Sequence, residues 1–290
     1  MTTLYAGYPD QETLDRAYDV EGAVPDFMAY ASRYMADSAA ARNLLKPRLD
    51  VPYGPTRMET LEVYAAQASD PAPILVFIHG GAWKSLDASV FSLVAPGPVA
   101  AGMAVVNVTY DLCPHVSIEE MVRQVRAAIS WTWRNADGFG GDRDRIIVAG
   151  HSAGAHLTTM ATLTDWDRYG LPEDVVKGAF GISGIYDMEP ISRSFLQPYL
   201  RLTADAVRWQ SPIRNLRTLQ TPLTLAWGTD EPEGLISSSQ AFEKAWQAVG
   251  NSVSSFTLED ANHFDVLDGF ADKDGVMTRA VQDLLERSAA

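Results

Sequence analysis

Three short runs constrain this chain more than any other feature: Pro73–His79 (PILVFIH), Ala104–Thr109 (AVVNVT) and Arg145–Ala149 (RIIVA). Each is a nearly unbroken apolar stretch of strand length. A strand of that texture has to be buried on both faces, which is the situation of parallel strands covered by helices. The segments between and after them carry helical spacing. Ser117–Ala136 is amphipathic, with Ser117 placed as N-cap and Glu119 and Glu120 in the first turn. Its Met121, Val125, Ala128 and Ile129 form a core stripe. Ala153–Thr164 reads as a helix, Lys177–Ile182 and Leu223–Trp227 as strands, Ile236–Val249 as a helix, Val253–Leu258 as a strand and Gly275–Glu286 as a closing helix. Such alternation predicts one α/β domain over residues 1–290, with a mostly parallel central sheet and helices on both faces.

Two stretches depart from the rhythm. Residues 1–50 contain a helical segment, Gln11–Leu45, punctuated by Pro25, with Pro47 just beyond it. A half-buried strand follows over Met58–Tyr64. Residues 187–212 carry Pro190, Pro198 and Pro212 among large side chains (Phe195, Tyr199, Trp209), too long for a simple connection. Long insertions in compact domains commonly serve as lids. The expectation is a small helical cap, shared with the N-terminal helices.

Composition narrows the function. The formal net charge of −14 argues against nucleic acid and anionic membrane surfaces as partners. The longest apolar run, near Pro73–Ile78, is far below a membrane span. The N-terminal residues show no basic region followed by an apolar one, so no signal peptide is expected and a cytoplasmic protein is the default. Cys113 is the only cysteine, so no intrachain disulfide forms. No metal-ligand spacing and no Gly-rich nucleotide loop occurs, and no cofactor or metal is expected. The partner expected is a small-molecule substrate, and a homodimer is compatible with the composition.

The chemistry concentrates in four places. Gly150-His151-Ser152-Ala153-Gly154 fits G-x-S-x-G, between the strand RIIVA and a helix. That setting is what a nucleophile elbow requires, with the serine oxygen raised beside a helix N-terminus. His79-Gly80-Gly81-Ala82-Trp83 follows the strand PILVFI. Its Gly-Gly turn offers backbone donors for an oxyanion, assigned to the N–H groups of Gly81 and Ala82 together with Ala153. His79 precedes the nucleophile and is read as a structural anchor of the loop.

In elbow enzymes of this order the acid and the histidine follow the serine. His263, in Ala261-Asn262-His263-Phe264-Asp265, is the histidine in the right place. Asp230, first after the strand Leu223–Trp227, is the expected acid, with Glu231, Asp260 and Asp265 as alternatives. In that scheme His263 takes the serine proton and Asp230 fixes its tautomer.

HGGAW (79–83), AGHSAGAHL (149–157), SGIYDMEPI (183–191), DEPE (230–233) and NHFD (262–265) together resemble the kynurenine formamidase (arylformamidase) family of α/β-hydrolases. The resemblance runs from about Asp50 to the C-terminus. The loop departs from the HGGG of hormone-sensitive-lipase-like esterases at Ala82. The resemblance implies an α/β-hydrolase fold, a Ser152–Asp230–His263 triad, and hydrolysis of an N-formyl aryl amide such as N-formyl-kynurenine. For such a substrate the leaving-group side of the pocket would be aromatic, and Trp83 and Tyr186 are its candidate lining. A general carboxylesterase with the same triad is the alternative, and a non-catalytic binding protein of this fold is the third reading.

Overall fold

The computed structural model describes residues 7–66 and 70–289. The expectation of no signal peptide rests partly on residues 1–6, which lie outside them. Eight strands form a single sheet: β1 (Arg48–Pro52), β2 (Thr60–Tyr64), β3 (Ala72–Ile78), β4 (Ala104–Val108), β5 (Gly141–His151), β6 (Gly178–Ile182), β7 (Leu223–Gly228) and β8 (Val253–Leu258). Their order is β1-β2-β4-β3-β5-β6-β7-β8. β1, β2 and β4 pair antiparallel, and all other pairs are parallel. The three apolar runs are the neighbours β4, β3 and β5 at the centre, where their apolar side chains are buried apart from the partly exposed Pro73. β1 was not anticipated. It is mostly exposed and ends in Pro52, features of an edge strand that hydrophobic periodicity does not reveal.

Helices α1 (Gln11–Arg16), α2 (Phe27–Leu45), α3 (Pro96–Ala100), α4 (Ile118–Asn135) and α5 (Ala153–Thr162) precede three short ones, α6 (Met188–Ile191), α7 (Gln197–Leu200) and α8 (Ala204–Trp209). α9 (Glu233–Ala248) and α10 (Val276–Ser288) complete the chain. Ser117 does cap α4, accepting from the Glu120 N–H at 3.2 Å, and the stripe Met121, Val125, Ala128, Ile129 is fully buried. Among the described residues no helix is long and apolar enough to cross a membrane.

Because β3 to β8 run parallel, their C-terminal ends share one edge. Ile78 stands beside Gly150, His151 beside Ile182, Ile182 beside Ala226, and Gly228 beside Leu258. The loops leaving those ends meet at one place, the usual position of a site in open α/β sheets.

α2 closes over that edge and is held at both ends. Near its C-terminus, Arg42 forms an ion pair with the buried Glu62 of β2, which also accepts from Tyr64 and Ser92. Ser38 donates to the Val90 carbonyl at 2.7 Å and accepts from the Leu93 N–H. Nearer its N-terminus, the Tyr34 hydroxyl donates to the Phe264 carbonyl at 2.6 Å, and Arg33 pairs with Asp265 and Asp268. Arg42→Ala leaves Glu62 buried without its counter-charge. Breaking a fully buried pair costs about 3–5 kcal/mol, and partial exposure of Arg42 lowers the expected loss to roughly 2–3 kcal/mol. Urea denaturation of the variant checks this, and an unchanged midpoint would contradict it.

Candidate active site

Ser152 stands between β5 and α5 with φ 57° and ψ −121°, a conformation strained for any residue but glycine. The strain is imposed from both sides: β5 holds the chain up to His151, and the Ser152 N–H donates to the Ile182 carbonyl at 2.8 Å. The turn is tight enough that a Cβ on Gly154 would come within 2.0 Å of the Ile78 carbonyl oxygen. That close approach, more than chain flexibility, explains the second glycine of G-x-S-x-G.

The loop after β3 is wound through three successive left-handed residues, Gly81 (φ 114°), Ala82 (φ 51°) and Trp83 (φ 58°). The Gly81 carbonyl accepts from the N–H groups of Lys84 and Ser85 and from the Ser85 hydroxyl. A Cβ at Gly81 would lie 2.1 Å from the Ser85 carbonyl oxygen, so only glycine fits. Among the described residues, the N–H groups of Gly81 and Ala82 take no part in the loop's hydrogen bonds. Ala153 opens α5, where first-turn N–H groups have no helical partner. Ala153 follows Ser152 directly in the chain, and Gly81 and Ala82 border the same cavity as Ser152.

Three buried histidines frame these groups, and their partners assign their tautomers. His79 bonds the Gly80 carbonyl through Nδ1 at 2.6 Å and stacks on Tyr110, whose hydroxyl donates to the His79 carbonyl. It anchors the loop, as read from its place in the chain. His156 accepts from Trp83 Nε1 at Nδ1 (3.2 Å), so its Nε2 carries the proton donated to the Gln210 carbonyl at 2.6 Å. The loop after β3 is thereby tied to the segment after β6. His151 donates from Nε2 to the His263 carbonyl at 3.0 Å, and the two rings lie 4.4 Å apart.

Burial pushes His79 and His156 down to about 4 and His151 well below its usual range. An unfolded chain protonates His79 and His156 near 6.5, whereas the folded one resists until about 4. The unfolded state thus binds more protons across that window, and stability falls as pH drops through it. The expected loss is on the order of 3 kcal/mol for each of His79 and His156. Urea midpoints measured from pH 7 down to pH 4.5 test this, and a flat profile would contradict it.

His263 is buried, and its Nδ1 donates to a carboxylate at 2.7 Å. That carboxylate belongs to Glu231, not to Asp230. The Asp230 side chain is exposed, while its N–H donates to the Ala261 carbonyl. The Glu231 side chain is fully buried and turned inward. Its Oε1 accepts from the Gly228 N–H at 2.8 Å and from the Ser183 hydroxyl at 2.5 Å, and its Oε2 takes His263. The expectation of Asp230 as partner of His263 is thus corrected. The backbone bond to Ala261 turns residue 230 outward at the end of β7 and brings the next residue in.

With Nδ1–H held by Glu231, the neutral His263 ring presents an unprotonated Nε2. Ser152, His263, Gly81 and Ala82 border one cavity of about 170 Å³. Its walls are aromatic: Phe27, Tyr30 and Tyr34 of α2, with Trp83, Phe91 and Phe264. Trp83 borders this cavity and is fully buried. Tyr186, against expectation, does not border it: it is fully buried and stacks on Phe242 of α9 with ring centroids 4.1 Å apart. Its neighbour Ile185 takes that place. From the proline-rich insertion only Leu196 reaches the cavity, and Phe195, Tyr199 and Trp209 are exposed. The cover is mainly N-terminal. Tyr30 and Tyr34 went unnoticed in the sequence because they lie in a helix of ordinary composition, far from every motif. Among the described residues no group of His, Cys, Asp or Glu is gathered as metal ligands.

A sheet of this order, with the serine on its strand-to-helix elbow and the histidine after its last strand, is that of the α/β-hydrolases. Comparison with known proteins agrees: the chain belongs to the BD-FAE family, which matches residues 61–245. It is 30% identical over 266 residues to a kynurenine formamidase of Danio rerio, covering 90% of this chain and 89% of that protein. It is 31% identical over 245 residues to esterase LipC of Mycobacterium tuberculosis, covering 77% of this chain and 61% of that one. A solved structure from Silicibacter sp., described as a thioesterase, superposes with a TM-score of 0.83 at 27% identity, covering 93% of this chain and 98% of that one. The protein is a hydrolase of the α/β-hydrolase fold.

Proposed function

We propose that the protein hydrolyses a small aryl formamide through a covalent formyl-enzyme, with Ser152 as nucleophile, His263 as base and Glu231 as acid. The observation that carries the reading is the aromatic cavity bordered by Ser152 and His263, which suits a planar aryl group. The kynurenine formamidase relative covers nearly the whole chain and supports the same choice. Ser152 Oγ attacks the formyl carbon while His263 Nε2 takes its proton. The carbonyl oxygen becomes an oxyanion held by the N–H groups of Gly81, Ala82 and Ala153. His263 then returns the proton to the aryl nitrogen as the C–N bond breaks. Water, deprotonated by the same ring, attacks the formyl ester, and formate leaves as Ser152 Oγ regains its proton.

A carboxylesterase acting on short-chain esters is the second reading, favoured by the esterase relative. It uses the same steps with an alcohol as leaving group. Side-by-side kinetics on N-formyl-kynurenine and short p-nitrophenyl esters separate the two. Formamide turnover comparable to or above ester turnover in kcat/KM is expected. A formamide value orders of magnitude lower would leave the esterase reading.

A further inference from the structure

We propose that Ser183 is a positioning residue of the catalytic machinery, acting on His263 through Glu231. The inference rests on the reading of Glu231 as the acid. Ser183 is the first residue after β6, fully buried and held in the left-handed region (φ 53°). Its N–H donates to the Ala226 carbonyl of β7 at 2.8 Å, which fixes its backbone against the strand that leads into Glu231. Its hydroxyl meets Glu231 Oε1 at 2.5 Å.

A carboxylate with one oxygen on an imidazole still has a rotation to lose. Gly228 N–H alone, at 2.8 Å, leaves Oε1 a single tether. The Ser183 hydroxyl adds a second from the neighbouring strand, so the plane of the carboxylate is set by two donors and Oε2 is aimed at His263 Nδ1. The hydroxyl also draws charge away from Oε2. Without it the carboxylate holds the imidazole proton more tightly, and the ring needs a higher pH to become a base. A serine that merely filled space would do neither.

The test measures kcat/KM against pH on p-nitrophenyl acetate for the parent, Ser183→Ala, Ser183→Gly, Glu231→Gln and the Ser183→Gly/Glu231→Gln pair. Glycine accepts the left-handed backbone, so Ser183→Gly removes the hydroxyl without added strain and decides the matter should Ser183→Ala fold poorly. The expected result is a fall of about tenfold to a hundredfold in kcat/KM with the acid limb moved to higher pH. In the Glu231→Gln background the same change is expected to have no further effect, because it acts through a group already lost. An unchanged rate and pH profile for Ser183→Gly, or an equal loss in both backgrounds, overturns the proposal and leaves the triad standing. A Glu231→Gln enzyme with parental activity instead overturns the triad reading beneath it.

Discussion

Glu231→Gln is expected to lower kcat/KM by about four orders of magnitude, while Asp230→Asn leaves it near the parental value. The two carboxylates are adjacent in sequence, but only one is turned inward. Glu231 accepts from His263 Nδ1 at 2.7 Å inside the fold, and Asp230 points to solvent. An amide at position 231 can present either an oxygen or an N–H to His263. The existing bonds from Gly228 and Ser183 call for an oxygen at Oε1, which places the NH2 group against Nδ1. The ring would then take the other tautomer, with its proton on Nε2, and could no longer accept one from Ser152. Steady-state kinetics on both variants, with circular dichroism to show that each is folded, check the claim. A larger loss for Asp230→Asn than for Glu231→Gln would reverse the assignment.

Ser152→Ala is expected to cost about six orders of magnitude in kcat and to abolish labelling by a fluorophosphonate probe. Equal labelling of parent and variant would remove Ser152 as the nucleophile. The same position offers a second readout, because its backbone is strained (φ 57°). Ser152→Gly should be as inactive as Ser152→Ala yet more stable than it by about 1 kcal/mol, since glycine adopts that conformation freely. A nucleophile held in strain by β5 and the Ile182 carbonyl predicts this pairing of lost activity with gained stability.

Much of this was legible from the chain alone. The buried strands announce themselves by continuous apolar runs, since a strand covered on both faces has no polar side to show. The elbow glycine at 154 and the turn glycine at 81 are legible because no other residue fits where they sit. His263 follows from chain order. What failed was the choice between neighbours. Asp230 and Glu231 are chemically alike and one residue apart, and composition carries no record of which one the backbone turns inward. Tyr186 failed for a related reason: it lies in the loop after β6, where no periodicity tells which way a side chain turns, and Ile185 faces the cavity while Tyr186 packs on α9.

The sequence by itself therefore determined the class of fold and singled out the nucleophile, oxyanion loop and base proposed here, because each depends on local chain geometry or on order along the chain. Only the tertiary structure decided which carboxylate meets His263, the aromatic wall supplied by α2, and the place of Ser183 behind Glu231. Those depend on contacts between segments separated by tens to hundreds of residues, where a single bond such as that from the Asp230 N–H to the Ala261 carbonyl selects which side chain enters the site.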